Sequence, residues 1–334
     1  MPIANYIRRP LVFNEIGKPI NDLSLEEAIK VAGLNYKVGI KETRVRLANP
    51  EDPDKFLLYK VPNNYATYRE DTNQVFGAVG SKYEIVQNSA ALDFINQICD
   101  YDKEVRIETA GCYRNGASML VTAKFPEPMK ITNNDTVDKY LLFTNSHDGS
   151  GSITCAVTNI RVICNNMLNQ AIRNASSLFS FKHTKNVHNA IMTAVSNIRA
   201  THVYNEALLE SMIEFKNHAI HENTLRNYVF DLFLNDEQKE HMKLRTNIFA
   251  ADKDIISAKT QNKVGAIMDT IEAGVGQELH RGSILWLYNG ITSYLNNVAD
   301  YKSPEDRFDA LTKRNAFKVN QKAYDLALDL LKAA

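Results

Sequence analysis

VRIETAGCYRNGASMLVTAKF, residues 105–125, decides how the first half of this chain folds. Two runs rich in β-branched and apolar residues flank Arg114-Asn115-Gly116. Asn and Gly tolerate positive φ, which a tight hairpin turn needs, so the stretch reads as two paired antiparallel strands. Pro126 and Pro128 end the second one.

Strand signals continue on both sides. Upstream, residues 36–47 alternate well enough for a strand, and a second is expected within 52–61. After Pro62-Asn63-Asn64, YATYRE is expected to pair with NQVFGAVG through Asp71-Thr72-Asn73, and Gly77 and Gly80 suggest a bulge or a close backbone approach. Downstream, a strand over 140–144 leads through the loop NSHDGSG, residues 145–151, into SITCAVTNIRVIC. Two helices interrupt this region. Ser24 with Glu27 forms a capping box that opens a helix ending at Gly33, and SAALDFINQICD places Leu92, Ile95 and Cys99 on one face.

From about residue 165 the periodicity turns helical, with a break at SSLFSFKH, and beyond 187 the chain is mainly helix. Helices are expected near 222–232, 236–246, 250–273, 280–297, 307–315 and 319–332, with Gly265 and Gly274–Gly276 as weak points. Strands followed by helices, rather than alternating with them, indicate an α+β protein with an antiparallel strand-rich N-terminal half and a mainly helical C-terminal half. The division expected is 1–186, bearing the SHDGS loop, and 187–334, either packed as one composite body or standing as two domains.

Composition narrows the function. The 334 residues are 44% hydrophobic and 23% charged, ordinary for a globular chain. Lys plus Arg equals Asp plus Glu at 39 each, so no global field draws in nucleic acid and any such contact needs a local basic patch. Cys99, Cys112, Cys155 and Cys164 lack CxxC spacing and read as free thiols in a reducing compartment. The first residues show no signal-peptide core and no apolar run reaches the roughly 18 residues of a membrane span, so a cytoplasmic protein without membrane contact is expected.

No GxSxG, P-loop or GxGxxG segment is present, which argues against the commonest hydrolase, NTPase and dinucleotide chemistries. His218 and His221 lack a third metal ligand, and Cys164 at the end of an apolar strand reads as packing rather than a nucleophile. No metal and no cofactor are expected. Trp286, with Ile284, Leu287, Ile291 and Leu295 around it, reads as core or intersubunit packing.

The polar candidates are all of the binding type. Asn145, Ser146 and His147, with Asp148 and Ser150, form the most polar cluster in the strand-rich half, where side chains and glycine backbone could meet an anion; the alternative is a loop capping its own backbone. Arg161 has a fork suited to phosphate, with Asn165 at an expected helix start behind it, or else pairs with Asp148 or Glu108. Arg69 and Tyr83 could shape a base-stacking groove, although turn chemistry alone explains the residues after Arg69. Lys182, His183 and Lys185, joined by Arg161 and Arg173, are the best local basic group; ordinary solvent-facing charge is the alternative.

Several segments together resemble DUF932, the phage/plasmid-like protein family, in family order: LEEAIKVAGLNYKV, the stretch from Tyr68 to Asn88, ETAGCYRNG, residues 141–171, FKHTKNV, and RGSILWLYNGITSYLNN. Where the family tends to carry an acidic residue and a histidine, this chain has Asn296 and Asn297, so no charge-dependent role is expected there. The resemblance implies an accessory protein of a phage or mobile element, encoded near single-stranded DNA handling or anti-restriction functions, but no settled reaction.

Three readings follow. The first is a protein that binds or anneals single-stranded DNA. The second is a counter-defence protein whose partner is a host defence or replication protein. The third, an enzyme using the SHDGS loop on a nucleotide or phosphodiester, is less favoured because no triad or metal set accompanies the loop. A homo-oligomer is compatible with all three.

Overall fold

The computed structural model describes residues 8–101, 105–168, 178–187, 189, 199–221 and 223–333. The chain is α+β, with its strands in the first half and most of its helix in the second. Near the N-terminus come α1 (Val12–Ile16), the short β1 (Lys18–Pro19) and α2 (Leu25–Val31), the last opened by the Ser24/Glu27 capping box. A three-stranded antiparallel sheet follows, in the order β2 (Val38–Asn49), β3 (Asp52–Arg69), β4 (Val75–Gly80). β3 is one strand where two were expected, because it passes Pro62-Asn63-Asn64 by way of a positive φ at Asn63.

Helix α3 (Asn88–Tyr101) leads to the main sheet. Its strands are β5 (Arg106–Tyr113), β6 (Ser118–Lys124), β7 (Met129–Thr132), β8 (Asp135–Ser146), β9 (Ile153–Arg161), β10 (Asn166–Met167) and β11 (Leu178–Phe181). The path is β1-β5-β6-β8-β9-β10, with β7 pairing β8 and β11 pairing β9, all antiparallel. The Asn-Gly hairpin is there, and Arg114, Asn115 and Gly116 all have positive φ.

The helical part comprises α4 (Arg199–Asn217), α5 (Thr224–Phe233), α6 (Asp236–Met242), α7 (Ala258–Ala273), α8 (Ile284–Ser293), which continues into a π-turn over Tyr294–Val298, α9 (Pro304–Thr312) and α10 (Asn315–Ala333). The helix expected from 250 begins only at 258, because Ser257 caps it and the preceding residues are held in turns. Gly265 does not break α7: it leaves room for the Phe249 ring. Gly274 ends that helix.

Alternation along β6 and β8 gives the main sheet two apolar faces. Met119, Val121, Ala123, Leu141 and Phe143 meet Leu92, Phe94 and Ile95 of α3, while Leu120, Tyr140 and Leu142 join the core built by the helices. Trp286 and Tyr288 lie in that second core, so Trp286 packs internally. Among the described residues no helix is long and apolar enough to cross a membrane.

One tie between sheet and helices corrects an expectation. Arg161 is fully buried and pairs with Asp135, neither with Asp148 nor with Glu108, and its other end donates to the Gly276 carbonyl at 3.2 Å. Its guanidinium is therefore consumed inside the molecule. Asn165 does not start a helix: it takes φ +54° in a turn before β10 and donates to the Arg9 carbonyl at 3.0 Å. Arg173 lies outside the described residues.

Candidate nucleic-acid interface

The loop joining β8 to β9 is built into the small sheet. Gly77 of β4 packs against the carbonyl of Asp148 so closely that a Cβ there would overlap it. Thr67 of β3 donates to the His147 carbonyl at 2.6 Å, and the Tyr83 hydroxyl donates to the Ser146 carbonyl at 3.0 Å. Gly77 thus serves a close approach, beside a register shift in the β3–β4 pairing at Thr67/Tyr68, whereas Gly80 has nothing within 4 Å of an added Cβ.

Within the loop, Asp148 Oδ1 accepts from Ser146 Oγ at 2.6 Å and from the Ser150 backbone N–H at 2.8 Å. Burial alone would raise this carboxyl, but those hydrogen bonds and the nearby Arg114 outweigh it and hold Asp148 below the usual carboxylate range. Arg114 also donates to Ser150 Oγ at 3.2 Å and pairs with Asp309 of α9. Its charge is answered from two sides.

The first half of the loop faces inward. Asn145, Ser146 and His147 are buried, and Asn145 Nδ2 donates to the Val86 carbonyl at 2.9 Å. His147 Nε2 lies 2.9 Å from Asn88 Oδ1, while the Asn88 amide nitrogen donates to the Leu34 carbonyl. Because Asn88 presents an oxygen, the ring carries its proton on Nε2. Burial, reinforced by His183, pushes the His147 pKa down to about 4, so the ring is neutral at pH 7. Stacked on Phe76 at 6.1 Å, it is a core histidine without access to a substrate.

The second half faces outward. Gly149, Ser150 and Gly151 are exposed and form one wall of an open groove of about 540 Å³. The floor and opposite walls come from the end of β4, from Lys82 and Tyr83, and from Lys182, His183 and Thr184. Among the described residues, two lysines line this space and no acidic side chain does. Both ammonium groups sit on exposed residues, and Lys185 is exposed one turn further on.

The segments that carry the two lysines are locked together. Glu84 N–H donates to the His183 carbonyl at 3.1 Å, and His183 Nδ1 lies 3.0 Å from the Glu84 carbonyl. That second contact places the His183 proton on Nδ1. Burial keeps the imidazole below its usual pKa and therefore neutral. Tyr83 stacks on it at 4.5 Å and 14°, giving the groove a backed aromatic wall.

Of the ten candidates, the fold gathers Tyr83, Lys182 and His183 at the groove, with Lys185 beside it and the outer part of the SHDGS loop as its wall. Arg69 is elsewhere, 4.1 Å over the Tyr36 ring and paired with Asp71 at 2.7 Å. Arg161 and Asn165 belong to the contacts between sheet, N-terminal segment and helices. Lys82, absent from the candidates, lines the groove together with Lys182 only because the segments that follow β4 and β11 are tied through Glu84 and His183; its place beside Tyr83 in GSKYEIVQN was the one available signal. Cys164 is buried with its thiol pushed up by desolvation, the opposite of an activated nucleophile. Among the described residues no group of three or more His, Cys, Asp or Glu side chains could hold a metal ion.

A family model described as "Domain of unknown function (DUF932)" matches residues 75–316. No curated protein and no solved structure matches the chain. The matched span contains β4, the SHDGS loop and the 182–185 segment, and so all of the groove.

Proposed function

The chain belongs to the DUF932 family, and from that premise we propose that it is an accessory protein of a phage or mobile element that binds single-stranded nucleic acid in the groove between Lys82 and Lys182. The observation that carries this reading is a lining that, among the described residues, has two lysines, several hydroxyls, exposed glycine backbone and no carboxylate. Phosphate is the ligand chemistry such a lining suits: ammonium groups supply charge, while Ser150 and Ser152 hydroxyls and the 149–151 backbone supply neutral donors.

Size and sequence preference follow from the same lining. A groove of about 540 Å³ is on the scale of a small-molecule site and admits a nucleotide unit rather than the girth of a duplex. Tyr83, backed by His183, offers an aromatic wall against which a base can lie, a contact that tolerates any base. With charge balanced over the whole chain, attraction is local, and binding depends steeply on a few lysines.

Fluorescence anisotropy with a labelled single-stranded oligonucleotide at low salt tests the proposal. Removing both lysines in a Lys82→Ala/Lys182→Ala double variant is expected to weaken binding at least about tenfold and to flatten the salt dependence by about 0.7 log units for each phosphate no longer neutralised. Absence of binding by the native chain at micromolar protein, or an unchanged salt slope in the double variant, overturns it.

A further inference from the structure

One wall of the groove continues beyond it. β4 pairs β3 only from Asn64 to Tyr68, so the distal part of β2 and β3, where Arg44–Asn49 pairs with Asp52–Lys60, runs on as a two-stranded ribbon. Register fixes which way its faces turn. Glu42, Tyr65 and Val79 stand opposite one another in a row across the three strands and so share a face. Val79 lines the groove, and its side chain lies 3.0 Å from where a Cβ on Gly149 would stand, so this face is the one turned to the SHDGS loop. Arg44 and Arg46 follow Glu42 on β2 at alternate positions. They therefore lie on the same face, about 7 and about 14 Å along the strand from the level of Val79.

That face is cationic and aromatic. Across from β2, Lys60 stands opposite Arg44, Leu58 opposite Arg46 and Phe56 opposite Ala48. Glu42, the carboxylate at the base of the face, is taken up by Lys60, and Asp52 near the tip by Lys55. Among the described residues neither Arg44 nor Arg46 has an ion-pair partner, and both are exposed. Arg46 lies 4.0 Å over the Phe56 ring, a contact that uses the flat of the guanidinium and leaves its edge of N–H donors for an anion. Phe56 and Leu58 are themselves 52% and 62% exposed. Unanswered arginines beside exposed apolar side chains suit a chain of phosphates and bases, and their face adjoins a groove already lined by Lys82 and Lys182. Charge complementarity and continuity thus select the same occupant.

We propose that a single strand held in the groove continues along this face of the β2–β3 ribbon, its phosphates met by Arg44 and Arg46 and its bases passing the exposed Phe56 and Leu58. The inference rests on the single-strand reading of the groove and adds a direction and a length to it: the strand leaves past Val79 toward the ribbon, and the site spans more nucleotides than the groove alone admits. The ribbon precedes residues 75–316, so the extension belongs to a part of the chain that the family model does not cover.

Fluorescence anisotropy of the full chain with labelled oligothymidylates of about 5 and about 25 nucleotides at low salt is the test. Arg44→Ala/Arg46→Ala, which alters only exposed positions and is expected to leave the circular-dichroism spectrum unchanged, should weaken binding of the longer strand about tenfold or more and lower its salt slope by about 1.4 log units, with the shorter strand unaffected. Lys82→Ala/Lys182→Ala should weaken both lengths. Lys253→Ala/Lys259→Ala, which removes two exposed cations from the helical part, should change neither. If the arginine variant binds the longer strand as the native chain does while the lysine variant fails, the ribbon path is overturned and the groove reading stands. If the arginine variant loses the longer strand while Lys82→Ala/Lys182→Ala loses nothing, the groove reading falls and the continuous path with it. Equal losses at both lengths in the arginine variant, an equal loss in Lys253→Ala/Lys259→Ala, or tighter binding of a duplex of the longer length than of the single strand would each overturn the proposal as well.

Discussion

Arg161 Nε donates to Asp135 Oδ1 at 2.8 Å with neither side chain exposed, and the other Asp135 oxygen lies 2.6 Å from His280 Nε2. A residue at the end of β9, one at the start of β8 and one before α8 thus meet where sheet and helices join. Burial would raise the Asp135 carboxyl, but hydrogen bonds from His280 and Arg161 outweigh it and keep the group ionised.

Removing one partner leaves the other buried and uncompensated, which costs about 3–5 kcal/mol, whereas replacing both by apolar groups costs far less. Asp135→Asn is therefore expected to lower stability by that order, and Asp135→Leu/Arg161→Met to regain most of it. Urea unfolding midpoints check this. Equal loss in the single and double variants would show that the pair does not act as a unit.

This cluster also marks what sequence reading could not reach. Arg161 carries the donors that a phosphate site needs, and nothing local tells such an arginine from one answered by a carboxylate 26 residues earlier and a histidine 119 residues later. The hairpin at Arg114–Gly116, the α3 face and the Ser24 cap were legible because each signal is local: a turn that needs positive φ, an apolar stripe, a side chain reaching its own helix start. Asn165 misled for the converse reason, since asparagine suits a left-handed turn as well as a helix cap and only the following β10 pairing decides between them. The groove was half legible. Lys182 and Tyr83 were visible, but Lys82 gains meaning only from the tie between Glu84 and His183 that brings its segment to that of Lys182.

The two neutral histidines predict a response to acid. An unfolded histidine protonates near pH 6.5, but His147 in the folded chain does so only at about 4, so between those values the unfolded state binds more protons and stability falls as pH falls. His147 contributes about 3 kcal/mol to stability above this window, and that contribution is lost progressively through it. His183, held low by its own burial, adds in the same direction, while Asp148, kept below the usual carboxylate range, stays ionised through most of it. Unfolding midpoints from pH 7 down to about 4.5 are expected to drop steeply in the native chain and less steeply in His147→Gln. An identical slope in the two would show that the ring does not titrate as described.

Gly77 and Gly80 stand on the same short strand and should answer substitution in opposite ways. An added Cβ at Gly77 meets the backbone carbonyl of Asp148, which cannot swing aside as a side-chain end would. At Gly80 nothing lies within 4 Å of the added atom. Gly77→Ala is expected to cost about 1–3 kcal/mol in thermal or urea unfolding, the usual range for overpacking, and to weaken oligonucleotide binding by displacing the loop. Gly80→Ala should leave both unchanged within about 0.5 kcal/mol.

Tyr83 separates the framework of the groove from its surface. Its hydroxyl holds the Ser146 carbonyl, and burial together with the Asp148 charge pushes its pKa upward, so it remains a donor at every working pH. Tyr83→Phe removes that one hydrogen bond but keeps the ring on His183, and is expected to cost about 1 kcal/mol of stability with affinity for single strands little changed. Tyr83→Leu removes the aromatic wall. If a base lies against that wall, the leucine variant should bind an oligonucleotide about five- to tenfold more weakly than Tyr83→Phe, since a base–aromatic stack is worth about 1–3 kcal/mol. Equal affinities for the two variants would mean that phosphate contacts alone hold the strand and that the ring serves only to fix His183 and the segment bearing Lys182.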